Sequence, residues 1–257
     1  MDEWRLIEFG VVDIRYMMAM NEAILRRAHR NTLFFWTPIK SIILGFFQRA
    51  SLELNLDECK DYTIVRRISG GGIAFSDDRG RQINYGVVGE IDGTQFPLEI
   101  IESYHTICNV LIEVLKDYGM DACFRPINDV VVSGRKISGN AQTRRGNRLL
   151  QNGTLLLDFD VREMARLLNV PSEKYSDKLV SSLEESLTWM DRELGYPVRM
   201  DDVKKKIITK FEEEFDARLK PTAPTPSERE LGDKLVEKYS SPQWNFKWDS
   251  PPPQQVK

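Results

Sequence analysis

Arg66-Arg67-Ile68-Ser69-Gly70-Gly71-Gly72-Ile73-Ala74-Phe75 sets three consecutive glycines behind a pair of arginines. Glycine has no side chain to hold peptide N–H groups away from a ligand, so such a turn closes directly onto phosphate oxygens with guanidinium charge alongside. Read alone, the run is either a nucleotide or acyl-phosphate site or a tight turn between two strands. A second segment, Asn128-Asp129-Val130-Val131-Val132-Ser133-Gly134-Arg135-Lys136-Ile137-Ser138-Gly139-Asn140-Ala141-Gln142, tips the choice toward a site. It again sets small residues around cations, next to an apolar run.

Outward from these segments, short strands alternate with a few helices. Leu6 to Phe9 reads as a strand and Tyr16 to Ala28 as an amphipathic helix, with Met20, Ile24 and Ala28 one turn apart. Leu33 to Trp36 and Ser41 to Phe46 are apolar strands separated by Thr37-Pro38-Ile39-Lys40, a hairpin or a corner. Thr63 to Arg67 enters the glycine turn, Ile73 to Ser76 leaves it, and Ile83 to Val88 follows a polar connector. Ile100, Ile101, Ile107, Leu111 and Leu115 mark a long helix over Pro97 to Tyr118 with one face on a sheet. Strands are predicted near Val130 to Val132, Lys136 to Gln142 and Leu149 to Phe159. Their short connections imply antiparallel pairing, because a parallel crossover needs about a dozen residues. The fold class is α+β, with mixed, mostly antiparallel sheets flanked by helices.

Val161 to Leu168 and Val203 to Phe215 read as helices, the second behind Asp201 and Asp202, which suit its positive end. Leu219 to Pro226 holds three prolines and marks a boundary between a domain over 1–220 and a terminal region over 221–257. Thr225-Pro226-Ser227-Glu228 has the form of a capping box, so Ser227 to Tyr239 is one more helix. The proline-rich end, Pro251 to Gln255, is expected to fray.

The chain has 257 residues, 41% hydrophobic and 29% charged, which suits one large core with or without an appendage. A net charge of −3 argues against broad attachment to nucleic acid, although 36 basic residues leave room for a local cationic pocket. Cys59, Cys108 and Cys123 are odd in number and lack CxxC spacing, which fits a reducing compartment and points to the cytoplasm. No apolar run approaches the ~20 residues of a membrane-spanning helix, and Met1-Asp2-Glu3-Trp4-Arg5 lacks a signal-peptide pattern. With only His29 and His105, a histidine metal cluster or a Ser/His/Asp triad has little raw material.

Four segments together resemble the lipoate-protein ligase family, within the biotin and lipoate ligase fold: Arg66 to Ala74, Asn128 to Val130, Lys136 to Ala141 and Gly153 to Leu156. They stand in the family's order, and weaker similarity runs from about Leu6 to Trp189. Ser41 to Gln48 and Asn21-Glu22-Ala23 resemble further family segments. The resemblance implies a two-step reaction in which lipoate, or octanoate, attacks the α-phosphate of ATP and a carrier lysine then displaces AMP. It implies ATP and Mg2+ as cofactors. The expected carrier is a lipoyl domain of a 2-oxoacid dehydrogenase acyltransferase subunit or a glycine-cleavage H-type protein.

Carried over by motif, Lys136 is the catalytic residue, its ammonium reaching both carboxylate and α-phosphate. Unlike charges about 4 Å apart at an effective dielectric near 20 gain roughly 4 kcal/mol before desolvation. Arg67, Gly70, Gly71, Gly72, Ile73, Ala74, Phe75, Asn128 and Asp129 join Lys136 around ATP, with Asp129 as the magnesium ligand. Ser69, Leu44, Gly139 and Thr154, again with Lys136, are the lipoate contacts, although an apolar residue such as Leu44 is as readily core.

The chain departs from the family at Ser76 and Asn152, where relatives carry histidines, which points to altered acyl preference or rate. Tyr239 to Phe246 resembles the opening of a C-terminal accessory domain, so a separate small accessory protein is expected to assist adenylation. The first rival is an octanoyl transferase with a thioester on Cys123, its thiolate favoured by Arg125. The others are a non-catalytic lipoyl or nucleotide binder, and a biotin ligase, whose Gly-Arg-Gly-Arg turn and N-terminal DNA-binding helices are missing.

Overall fold

The computed structural model describes residues 2–169 and 173–249. From the N-terminus come Asp2–Val12 (β1), Ile14–Arg27 (α1), Thr32–Pro38 (β2), Ser41–Leu44 (β3), Ala50–Glu53 (α2), Thr63–Arg66 (β4), Ala74–Ser76 (β5) and Gln82–Glu90 (β6). The middle of the chain forms Ile100–Asp117 (α3), Ala122–Arg125 (β7), Asp129–Val132 (β8), Arg135–Arg145 (β9) and Arg148–Leu156 (β10). Val161–Leu167 (α4), Glu173–Ser186 (α5), Met190–Leu194 (α6), Met200–Glu214 (α7), Ala217–Pro221 (β11), Pro226–Ser240 (α8) and Pro242–Asn245 (α9) follow.

Eight strands make one sheet in the order β11-β1-β2-β6-β10-β9-β8-β7, and β4-β3-β5 make a second, three-stranded sheet. The architecture is α+β and mostly antiparallel. Parallel pairing occurs between β1 and β2, β1 and β11, and β3 and β4. Short connections cannot reveal these pairs, because the partners lie across a helix crossover or far along the chain. Residues 33–46 prove to be a corner: β2 lies in the large sheet and β3 opens the small one.

Period-two alternation sets the two faces of the large sheet. On β6, Ile83, Tyr85 and Val87 join Ile107, Leu111 and Leu115 of α3 and Ile207 and Phe211 of α7 in the main core. Val88, on the other face, packs with Phe34 and with Met17, Met20 and Ile24 of α1. A third cluster, including Ile42, Leu44, Tyr62, Phe75 and Leu167, fills the small sheet. The site lies where the second face meets the small sheet.

Helix α8 forms as its capping box dictates, with Thr225 and Glu228 bonded reciprocally and Pro226 in the first turn. The same Glu228 carboxylate accepts from Arg5 Nη1 at 2.6 Å and Nη2 at 2.8 Å, both groups buried. Breaking such a buried pair by removing one partner costs roughly 3–5 kcal/mol. Further along, Lys238 and the Tyr239 hydroxyl donate to buried Glu22 of α1. The prolines at 221, 224 and 226 punctuate the step from β11 into this helix. Helix α7 begins at Met200, so Asp201 and Asp202 lie in its first turn. The proline-rich end over 251–255 lies outside the described residues.

After α8 the chain returns to the small sheet. Asn245 Oδ1 accepts from the Arg66 amide at 2.9 Å, and Trp244 Nε1 donates to the Arg66 carbonyl at 2.9 Å. The Arg66 guanidinium is fully enclosed and donates to the carbonyls of Gly45, Phe46, Gln48, Trp244 and Asn245. A buried cation with no carboxylate in hydrogen-bond contact is tolerated here because peptide carbonyls accept from Nε, Nη1 and Nη2, and Asp249 adds opposite charge nearby. The base of the glycine turn is thereby fixed to the end of the chain. Among the described residues, no helix is long and apolar enough to cross a membrane.

Candidate active site

A cavity of about 200 Å³ opens between the small sheet and the β6-β10-β9 part of the large one. Of the residues expected from sequence, Arg67, Gly72, Ile73, Ala74, Phe75, Asn128, Lys136, Gly139 and Thr154 line it. Leu44 is fully buried in the core behind β3. Ser69, Gly70, Gly71 and Asp129 stand outside the lining.

Lys136 owes its position to Gly139. A Cβ at residue 139 would stand 2.7 Å from Lys136 Cε and 2.8 Å from its Nζ, so only glycine lets the side chain lie along the strand. That path carries the ammonium to Asp129 on the neighbouring strand, at 2.7 Å. Asp129 also receives Arg125 Nη2 of β7 at 3.0 Å. Its two oxygens serve two cations. The Lys136 carbonyl accepts from Thr188 N at 2.8 Å, which brings Leu187 over the cavity.

Strand register adds Cys123. Cys123 of β7 faces Val131 of β8, which faces Lys136 of β9, so the three form one row on the cavity side of the sheet. Two strand spacings, about 10 Å, separate the outer backbones. Arg125 is two residues from Cys123 and therefore on the same face. Cys123 does not line the cavity, yet it is the one exposed cysteine. Burial pushes the Cys108 thiol up to about 12 and raises Cys59 as well, which keeps both protonated.

The glycine turn forms the opposite wall. Arg67 is buried and donates to the carbonyls of Ile43, Gly70 and Gly72 and to Ser69 Oγ, so its hydrogen bonds hold the turn's shape. Burial draws its pKa down to about 10, which leaves it charged at neutral pH. The turn seats closely against β3: a Cβ at Gly45 would meet the Gly71 carbonyl oxygen at 1.9 Å. Gly71 has φ +89°, a conformation that glycine adopts without strain.

The polar floor is largely unforeseen from sequence. Gln82 and Asn84, alternate residues of β6, line the cavity with Trp36 and Met18. Two amides at period two inside an otherwise apolar strand are a signal of a wetted patch. Gln82 donates to Ser76 Oγ and Asn152 donates to Asn21 Oδ1 at 2.7 Å, so the residues in place of family histidines are held by neighbouring amides. Asn140 and Asn128 bond reciprocally through side-chain amides and carbonyls, tying the entry of β8 to β9.

With this geometry in hand, comparison with known proteins gives three results. The lipoyl protein ligase A/B catalytic-domain model matches residues 13–212. Octanoyltransferase LipM of Kyrpidia tusciae is 31% identical, covering 96% of this chain and 100% of that protein, and LipM of Halalkalibacterium halodurans is 27% identical with the same coverage. A chain from an archaeal lipoylation system, described as a bi-partite lipoate protein ligase and its E2 lipoyl domain from Thermoplasma acidophilum, superposes with a TM-score of 0.87. It is 28% identical, covering 96% of this chain and 97% of that one.

These relatives correct the expectation of an ATP-consuming ligase. Full-length similarity to proteins named octanoyltransferases overturns the expected acyl-adenylate formation, and with it ATP and Mg2+ as cofactors. The ion pairs of Asp129 give the group expected to hold magnesium a different role, and the described residues include no cluster of three or more His, Cys, Asp or Glu suited to a metal. The family resemblance itself holds; its motif segments are compatible with relatives described as ligases and as octanoyltransferases, so they do not by themselves choose between the two reactions.

Proposed function

Because this chain belongs to the lipoyl protein ligase A/B catalytic-domain family, we propose that it is an octanoyl transferase. An octanoyl group passes from a thioester donor to Cys123 and from there to a lysine amine of a lipoyl domain. The observation that carries the reading is Cys123 itself: exposed, in register with Lys136, and two residues from Arg125. The similarity to octanoyltransferases supports the reaction, and the lipoylation-system relative supports a lipoyl domain as acceptor.

In the first step the Cys123 thiol loses its proton and Sγ attacks the donor carbonyl. A new C–S bond forms, the donor C–S bond breaks, and the donor leaves as a thiol after taking up a proton. In the second step the neutral lysine amine attacks the same carbonyl, an amide forms, and the Cys123 thiol is released. Lys136, held by Asp129, faces the oxyanion that develops in both steps, a role worth about 3–4 kcal/mol for one preorganised donor. Ile43, Phe75, Leu156, Phe159 and Met164 offer the acyl chain an apolar wall. A thiol nucleophile persists in a reducing compartment, so a cytoplasmic location is part of the proposal.

The test supplies octanoyl thioester and a lipoyl domain without ATP and weighs the lipoyl domain by mass spectrometry. Octanoylation that disappears in Cys123→Ser is expected. Modification only from free acid plus ATP, unaffected by Cys123→Ser, would overturn the proposal.

A further inference from the structure

Two buried N–H donors on the cavity floor, Trp36 Nε1 and Asn84 Nδ2, have no hydrogen-bond partner among the described residues. Both side chains line the cavity, yet Trp36 is only 2% exposed and Asn84 1%. Asn84 is oriented by its neighbours: its Oδ1 accepts from Gln82 Nε2 at 3.3 Å, and the same Nε2 donates to Ser76 Oγ. The serine that stands in place of a family histidine thereby helps to turn the amide nitrogen of Asn84 away from Gln82. Buried donors are ordinarily paired, and one left without an acceptor carries its full desolvation cost. An indole nitrogen can only donate, so the group that completes this pair is an acceptor.

Strand register places the pair at the end of an acyl chain. Trp36 of β2 faces Asn84 of β6, Asn84 faces Thr154 of β10, and Thr154 faces Gly139 of β9, over which the end of Lys136 lies. Thr154 and Gly139 line the cavity too, so the row of four residues runs along its floor. Two strand spacings, about 10 Å, separate Gly139 from Asn84. An eight-carbon acyl chain measures about 9 Å from its carbonyl carbon to its last carbon at ordinary C–C bond lengths. With the reacting carbonyl beside the Lys136 ammonium, carbons 7 and 8 come to Asn84 and Trp36. A plain octanoyl group brings a methyl there and leaves both donors unpaired.

The chemistry of the two donors selects among oxygen functions. A carboxylate would exchange its hydration for two neutral donors, which is unfavourable. A hydroxyl would add a donor where two already stand. A carbonyl oxygen brings two lone pairs and no proton, one lone pair for each N–H. We infer that Trp36 and Asn84 form a subsite for a carbonyl oxygen near the far end of the acyl chain, at carbon 7 or 8, so that an oxo-acyl group is transferred in preference to octanoyl. This rests on the transferase reading and changes the class of acyl group, while the bonds made and broken stay the same.

The test gives the full chain a lipoyl domain and the N-acetylcysteamine thioesters of octanoate and 7-oxooctanoate in turn. The oxo chain is expected to raise kcat/KM about tenfold to a hundredfold, the scale of satisfying two buried donors. Trp36→Phe keeps an aromatic ring without the N–H, and Asn84→Leu keeps the bulk of the amide without its donors. In each variant the ratio between the two thioesters should fall toward one. Each ratio compares two substrates on one preparation, so a partial loss of folded protein cancels. Equal kcat/KM for the two thioesters in the unaltered chain, or a preference for octanoyl, would overturn the inference and leave the transferase standing. A preference for the oxo chain that both variants retain would overturn it as well. Failure of both thioesters to acylate the lipoyl domain would instead remove the transferase reading, and the inference with it.

Discussion

At the glycine turn, Arg66 and Arg67 direct their guanidinium groups onto peptide carbonyls and one hydroxyl, and neither meets a carboxylate. At the β7–β9 edge, Lys136 and Arg125 converge on the single carboxylate of Asp129. Both regions are glycine-rich and cationic in sequence, and both border one cavity. The first uses its cations as scaffold and retains their charge. The second holds a compensated, adjustable ammonium two strands from an exposed thiol. A cation in a motif therefore has a meaning set by its partners: carbonyl-bound guanidinium gives a rigid wall, whereas a paired lysine on a half-exposed strand gives a group able to meet a developing charge.

Substitutions can break or sharpen this contrast. The largest effect is expected at the edge: Cys123→Ser should reduce octanoyl transfer by ~10³-fold or more, as losing a nucleophile does. Lys136→Ala should follow at roughly 10²- to 10³-fold in kcat/KM, the scale of one lost preorganised donor. Gly139→Ala is milder and more diagnostic, because the added Cβ displaces only the flexible end of Lys136. About a tenfold loss in kcat with an unchanged melting temperature is expected, since small misplacements near the chemistry are costly. On the scaffold side, Glu228→Gln should leave the rate per folded molecule unaltered while lowering stability by about 3 kcal/mol, read from the urea midpoint, because Arg5 loses its buried counter-charge.

The smallest effect is in the thiols. Burial raises the pKa of Cys59 and of Cys108, the latter to about 12, so both remain protonated at neutral pH. Iodoacetamide from about pH 7 to about pH 9 should therefore label Cys123 alone. Labelling of Cys59 and Cys108 should appear only on unfolding. Equal labelling of all three thiols in the native state would erase the distinction on which Cys123 was chosen.

Much of the fold was legible because it rests on local signals. Alternation in Ile83, Tyr85 and Val87 and the four-residue steps Ile107, Leu111 and Leu115 gave β6 and α3 their burial, and both belong to the main core. The capping box at Thr225 and Glu228 formed as its spacing requires. The inward ion pair of Glu228 with Arg5, 223 residues away, has no local trace. Strand β11 was missed for a related reason: Leu219 to Pro221 fall in the stretch that its prolines mark as a boundary, and the parallel partner β1 lies far away along the chain. Lys136, Gly139 and the approach of the glycine turn were readable from the two motifs. The ion pairs of Asp129 and the row through Cys123, Val131 and Lys136 depend on a register that includes a bulge between Val130 and Val131. A single shift of register moves a side chain to the other face, so sequence alone could not bring Cys123 to the cavity side.

The most direct measurement is the intact mass of the protein after brief incubation with an octanoyl thioester, with neither ATP nor acceptor present. One octanoyl group replacing one thiol hydrogen, mapped to Cys123, labile to hydroxylamine and absent from Cys123→Ser, is the expected result. An unmodified protein that nevertheless octanoylates a lipoyl domain when given free octanoate and ATP would contradict it.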